Sequence, residues 1–209
     1  GRIGKTLRRM GIASVAAYSD ADRFTRPVLD ADEAVRVGPA AAAESYLNID
    51  AIISACLATG AQAVHPGYGF LSENRGFAER LAEHGIAFIG PRPEHLDAFG
   101  LKHKAREIAQ LSRVPLLPGS SLLDTVDQAL AEAGNVGYPL MLKSTAGGGG
   151  IGMQLCHDAD ALRERFATVQ RTARASFGDA RVYLERFVAE ARHIEVQIFG
   201  NGKGDVVAL

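Results

Sequence analysis

The chain has 209 residues, 47% of them apolar and 22% charged, and a formal net charge of −1. That balance belongs to a folded globular protein with room for two small domains, and it excludes intrinsic disorder and fibrous repeats. The near-neutral charge offers no general attraction to a polyanion and no apolar run reaches the roughly 18 residues of a membrane span, so neither nucleic acid nor membrane is an expected partner.

Ile3, Leu7 and Met10 share one face of "RIGKTLRRMG", which predicts a helix closed by Gly11. The β-like run "IASVAAYSD" follows, and because a βαβ unit whose helix comes first implies a strand upstream, the chain is expected to start late. "SYLNIDAIISACLATG" carries Ile49, Ile52, Ile53 and Leu57 at helical spacing, and "AQAVHPGYGF" is a short strand running into a Pro/Gly turn. "SENRGFAERLAEHG" reads as a helix with Ser72 as N-cap, followed by the strand "IAFIGP". This alternation over residues 1–95 predicts a parallel α/β sheet with ligands near the carboxyl ends of its strands. One longer helix over about residues 93–112 carries Lys102, and "VPLLPGSSLL" after it reads as a connection between domains.

Beyond it the pattern predicts a helix (125–133), a strand (138–143), a run of four glycines, a strand (152–156), and a helix opened by Asp158 with Leu162, Phe166 and Val169 as its apolar stripe. "RVYLERFV" and "RHIEVQIF" read as two more strands, then comes a "GNGKG" turn. "DVVAL" is a β-type run without a stop signal, so truncation is expected at this end too. The second half is therefore expected to be α+β, its strands mostly joined as hairpins. Cys56 and Cys156 form no CxxC pair and no metal cluster with neighbouring histidines, and are expected to be reduced, buried and passive. No signal peptide opens the chain, so a cytoplasmic or organellar location is expected.

"LKSTAGGGGIGMQLC" raises the question of a phosphate loop. In the P-loop pattern the lysine follows the glycines and opens a helix; here Lys143 comes first, at a strand end, and a second strand follows. A Rossmann fingerprint fails as well, because the glycines open no helix. The pattern fits a hairpin tip whose amides fold over phosphates while Lys143 reaches them from the strand, and it equally fits a mobile surface hairpin. In "RHIEVQIF", Ile194, Val196 and Ile198 alternate with His193, Glu195 and Gln197, a polar row that faces either ligand or solvent. Glu185 and Arg186 in "YLERFV", just before it, equally fit a surface ion pair of little energetic value. His65 has no catalytic partner at a recognisable spacing, so a structural role in the turn is favoured, with Tyr68 and Phe70 packing it.

Taken together, "SYLNIDAII", "HPGYGFLSEN", "FIGP", "GLKHKA", "YPLMLKSTAGGGGIGM" and "ARHIEVQIF", in this order over nearly the whole chain, resemble the biotin carboxylase component of biotin-dependent carboxylases, an ATP-grasp enzyme. "LKSTAGGGGIGM" and "VPLLPGSSLL" look most like the urea carboxylase branch, since Lys or Arg is expected in place of Ile151 in the acyl-CoA and pyruvate branches. The resemblance implies an incomplete doubly wound parallel α/β N-terminal domain (1–95), a connecting helix and linker (96–116), an ATP-grasp lid subdomain (117–190) and the start of the ATP-grasp C-terminal subdomain (191–209).

It further implies that ATP activates bicarbonate to a carboxyphosphate-like intermediate, which carboxylates biotin on a carrier domain for a carboxyltransferase domain, in a homo-oligomeric full-length protein. By motif position Lys102 and Lys143 would hold the nucleotide phosphates, and Gly147, Gly148, Gly149 and Gly150 would cover them. Glu185, Arg186, Phe187 and Val188 would line the adenine pocket, largely through backbone groups, and His193 would contact the nucleotide. The ligands for Mg2+ or Mn2+ and the catalytic residues are expected downstream of Leu209, so these 209 residues alone are expected to be inactive. The alternatives are the biotin carboxylase part of an acetyl-, propionyl- or methylcrotonyl-CoA carboxylase or a pyruvate carboxylase, and a nucleotide-binding regulatory module without turnover.

Overall fold

The structure is a computed structural model and describes residues 1–145, 152–177, 179–192 and 194–209. The chain divides into two compact units, residues 1–108 and 109–209.

In the first unit, helix α1 (Arg2–Met10) closes on Gly11 in the left-handed conformation, with the Ile12 amide bonded back to the Leu7 carbonyl. Strand β1 (Val15–Ser19), the single turn α2 (Arg26–Leu29) and strand β2 (Glu33–Gly38) follow, and β1 and β2 pair in parallel with Val15 opposite Glu33. β2 was not expected from the sequence: its apolar alternation, Val35 and Val37, is brief and enclosed by the acidic "DADE" and "GP".

Helix α3 (Ile49–Thr59) is capped by the Asn48 side chain, which accepts from the Ala51 amide. Its buried stripe is Ile53 and Cys56, with Ile49 and Ile52 beside them, while Leu57 is 56% exposed. Leu57 lies one step past the i, i+3, i+4, i+7 face, and Cys56 takes the inner position. Strand β3 (Ala63–Val64), helix α4 (Arg75–Glu83) and strand β4 (Ala87–Phe88) continue, with β3 parallel to β4. The N-cap of α4 is Asn74, whose side chain accepts from the Phe77 amide at 2.8 Å; Ser72 belongs to the preceding turn. Leu71, Phe77, Leu81 and Ile86 join the α3 stripe in the core, and Phe77 meets Phe88 edge to face.

The parallel pairing agrees with expectation, but it forms two separate two-stranded ladders rather than one sheet. The carboxyl end of β1 is closed by protein groups. The Tyr46 hydroxyl donates to Asp22 at 2.6 Å and accepts from the Ser19 amide at 2.9 Å, and the Ser19 hydroxyl also donates to Asp22. Those donors hold the Asp22 carboxyl below the ordinary carboxylate value, while burial and then the bond to Asp22 push the Tyr46 phenol up. At the end of β2, a Cβ on Gly38 would sit 2.2 Å from the Glu44 carbonyl oxygen. In the Pro/Gly turn, His65 Nδ1 accepts from the Gly67 amide and Phe70 stacks on Tyr46, but Tyr68 is 96% exposed and packs nothing.

The single helix expected over 93–112 is two, α5 (Pro93–Gly100) and α6 (Lys102–Leu111), because Leu101 is extended at φ −106° and ψ 118°. Gly100 is a poor helix former at the point where the chain breaks. Asp97 on α5 bridges Lys104 of α6 at 3.1 Å and Arg75 of α4 at 3.9 Å.

In the second unit, "VPLLPGSSLL" is held against structure: Gly119 and Leu123 make single bridges to Glu185 and Val182. Helix α7 (Val126–Val136) starts at a capping box of Thr125 and Gln128. Strands β5 (Leu140–Ser144) and β6 (Met153–Cys156), helix α8 (Ala159–Phe177) and strand β7 (Val182–Arg186) complete an antiparallel sheet ordered β6-β5-β7. Strand alternation turns Leu140, Leu142, Val182 and Leu184 to one face, where they pack with Ala129, Ala133 and Val136 of α7 and Leu162, Phe166 and Val169 of α8. Both cysteines are free and buried, and burial pushes both thiols up.

"RHIEVQIF" does not form a long strand. Among the described residues it contributes only β8 (Ile198–Gly200), paired with β9 (Val206–Ala208), and Ile194 and Val196 stay exposed. All residues of this two-stranded hairpin are exposed, and a hairpin that buries neither face is not extended by alternation alone. Among the described residues no helix is long and apolar enough to cross a membrane.

Candidate nucleotide site

Lys143 lies on the central strand, with Tyr183 of β7 on one side and Met153 of β6 on the other. Because Leu142 and Ser144 face the helices, Lys143 must face the opposite side of the sheet, and by the same alternation so must Glu185. Met141 is the direct partner of Glu185, which places Lys143 diagonally across from it, within reach of long side chains. There the Lys143 ammonium and the Glu185 carboxylate form an ion pair, with the two side chains only 19% and 17% exposed. Such a pair is far less screened than one at the surface.

This replaces the surface pair expected between Glu185 and Arg186. Neighbours on a strand point to opposite faces, so Arg186 turns to the helix side, and its Nη1 donates at 3.0 Å to the carbonyl of Val136, the last residue of α7. Gly137, at φ 82°, leaves the room this needs: a Cβ there would lie 2.0 Å from that nitrogen.

The end of β7 is tied down on both edges. The Arg186 amide donates to the Pro118 carbonyl at 2.8 Å and the Phe187 amide to the Pro139 carbonyl at 3.0 Å. Val188, beyond the strand, is exposed, and its amide donates to no described residue. On the other side of the glycine run the Ser144 amide bonds to the Gly152 carbonyl at 2.8 Å, closing the base of the β5–β6 hairpin. Gly147, Gly148, Gly149, Gly150, Ile151 and His193 lie outside the described residues. Lys102, in the other unit, is the first residue of α6 and is half-buried.

Lys143, Glu185 and the backbone of 186–188 are thus brought together on and beside one sheet. The site offers an ammonium held in place by its partner carboxylate, and exposed main chain at Val188, next to a glycine-rich stretch of sequence, a combination suited to a nucleotide's phosphates and base. The Lys143–Glu185 pair was missed by the sequence reading, although antiparallel pairing of "LMLKS" with "VYLER" would have indicated it. Nothing in the sequence signalled the Arg186 contact with the end of α7. Among the described residues no three histidine, cysteine or carboxylate side chains converge as a metal site.

Residues 1–96 match the family model for the biotin carboxylase N-terminal domain, and residues 102–209 match that for the ATP-binding domain of the carbamoyl-phosphate synthase L chain. The chain belongs to the biotin carboxylase family. It is 50% identical to the urea amidolyase of Lachancea kluyveri, spanning all of this chain and 11% of that protein, and 49% identical to the biotin carboxylase of Nostoc, of which it covers 47%. The propionyl-CoA carboxylase alpha chain of Ruegeria pomeroyi is 46% identical over the whole chain and 31% covered. Among solved structures, a biotin carboxylase complex with β,γ-ATP from Campylobacter jejuni superposes with a TM-score of 0.94 at 40% identity, covering 99% of this chain and 47% of that one. The biotin carboxylase domain dimer of the Hydrogenobacter thermophilus 2-oxoglutarate carboxylase, in complex with MgADP, ADP and bicarbonate, gives 0.92 at 36% identity, covering 99% and 46%. The chain therefore spans under half the length of these relatives.

Proposed function

We propose that this chain supplies much of the nucleotide site of an ATP-dependent ligase that uses bicarbonate to carboxylate biotin on a carrier domain, within a cytoplasmic, homo-oligomeric urea carboxylase. The observation that carries the reading is Lys143, set on the central strand diagonally across from Glu185 of β7 and four residues before the glycine run. ATP supplies the phosphoryl group that activates bicarbonate. In this reading Lys143 and Lys102 neutralise and orient the phosphates, the amides of Gly147–Gly150 cover them, and His193 contacts the nucleotide. The Val188 amide and the Arg186 carbonyl meet the adenine edge, so replacement of the family's frequent lysine by Arg186 leaves the base contact intact. The domain limits of 1–95, 96–116, 117–190 and 191–209 belong to the same proposal.

Support for the urea branch comes from urea amidolyases at 50% and 49% identity and from Ile151 after the glycines. The second reading, an acyl-CoA carboxylase, is favoured by the 46% identity to the Ruegeria propionyl-CoA carboxylase alpha chain. Bicarbonate-dependent ATP turnover by the full-length protein, compared with urea, acetyl-CoA, propionyl-CoA and pyruvate as acceptors, separates them. Stimulation by urea alone is expected, and stimulation by an acyl-CoA or pyruvate instead would overturn the urea reading. ATP binding without bicarbonate-dependent turnover would leave only a regulatory module.

A further inference from the structure

The base-binding segment 186–188 would be useful only if its backbone were held still, because a main-chain donor and acceptor read a base through position alone. Two of its anchors are hydrogen bonds, donated by the Arg186 amide to the Pro118 carbonyl and by the Phe187 amide to the Pro139 carbonyl. The third is a side chain: the Arg186 guanidinium crosses to the helix side of the sheet and binds the Val136 carbonyl at the carboxyl end of α7. That carbonyl is one of the acceptors a helix end leaves unpaired, and a cation there is favoured by the helix dipole. Gly137 makes the approach possible, since a Cβ at that position would collide with Nη1 at 2.0 Å. Leu140, the strand partner of Arg186, is fully buried against the helices, so the frame to which the guanidinium is tied is the core itself.

We infer that Arg186 is a positioning residue for adenine recognition: its side chain, facing away from the base, ties segment 186–188 to the end of α7 and so fixes the main-chain groups that contact the base. The inference rests on the nucleotide reading above. It makes the side chain at 186 matter for base recognition although it touches no nucleotide atom.

The test compares ATP with purine riboside triphosphate, which lacks the 6-amino group, on the full-length protein and its R186A and R186K variants. In the parent, ATP is expected to bind about tenfold more tightly than the purine analogue, the worth of one hydrogen bond read by a fixed acceptor. R186A is expected to raise the ATP KM about tenfold, with kcat within about twofold, and to weaken the purine analogue less, since that analogue depends on the Val188 amide alone, so that discrimination between the two falls. R186K keeps a donor for the Val136 carbonyl and is expected to restore the ATP KM. An R186A protein that keeps its discrimination overturns the inference, as does failure of R186K to restore it. A parent that does not distinguish the two nucleotides overturns the adenine reading itself, and the positioning role with it.

Discussion

Lys143 and Glu185 are each less than one-fifth exposed and face one another across β5 and β7, so their contributions to stability must be coupled. Replacing Lys143 by Met takes the ammonium away from a mostly enclosed carboxylate, and replacing Glu185 by Gln takes the carboxylate away from a mostly enclosed ammonium. Removing one partner of a fully buried pair costs about 3–5 kcal/mol, and partial solvent access here lowers the expectation to about 1–2 kcal/mol for each single variant. The double variant K143M/E185Q leaves no unpaired charge, so its loss should fall short of the sum by about 1 kcal/mol or more. Urea unfolding of the four proteins measures this coupling. In the same set, ATP affinity separates structure from binding. K143M should weaken ATP by about 10- to 100-fold, the worth of a charge-assisted hydrogen bond, and the double variant should recover stability without recovering affinity. Strictly additive stability losses, or ATP affinity restored by the second substitution, would refute the reasoning.

Leu142 is fully buried at the centre of the second core, so L142A should cost about 2–5 kcal/mol and lower the thermal midpoint measurably. N74A should cost about 1 kcal/mol through loss of the α4 cap, whereas S72A should be close to neutral; the reverse order in urea unfolding would reinstate Ser72 as the cap. Asp22 is held below its ordinary value first by the Tyr46 hydroxyl and then by Ser19, so it stabilises the fold above the unfolded carboxylate value and that contribution is lost as pH falls through its lower folded value. Y46F should therefore flatten the acid side of the stability profile, and an unchanged slope as pH falls below the ordinary carboxylate value would show that this carboxyl is not linked to folding.

Where one periodicity dominated and a helix-closing or helix-opening residue marked its end, the sequence was legible. Ile3, Leu7 and Met10 with Gly11, and Leu162, Phe166 and Val169 after Asp158, each declared a helix that the structure contains. The failures share a cause, which is that tertiary partners decide what local pattern leaves open. β2 forms from a short stretch whose apolar alternation is only Val35 and Val37 because β1 lies beside it, whereas "RHIEVQIF", with better alternation, stays mostly irregular because among the described residues only β9 pairs with it. The break at Leu101 was hidden because helical spacing continues on both sides of it. In the site, Lys143 was identifiable from the glycines that follow it, but its link to Glu185 depends on strand register, and register appears only once β5 and β7 are paired. Arg186 lay further out of reach, since its partner is a main-chain carbonyl 50 positions away that no residue type advertises.

The central claim is that these residues hold ATP for bicarbonate-dependent chemistry. The most direct measurement is ADP release by the full-length protein with ATP, Mg2+ and its biotin carrier, with and without bicarbonate, in the parent and in K143A. Turnover that requires bicarbonate and falls at least about 100-fold in K143A is the expected result. Parental turnover in K143A, or ADP release indifferent to bicarbonate, would contradict it.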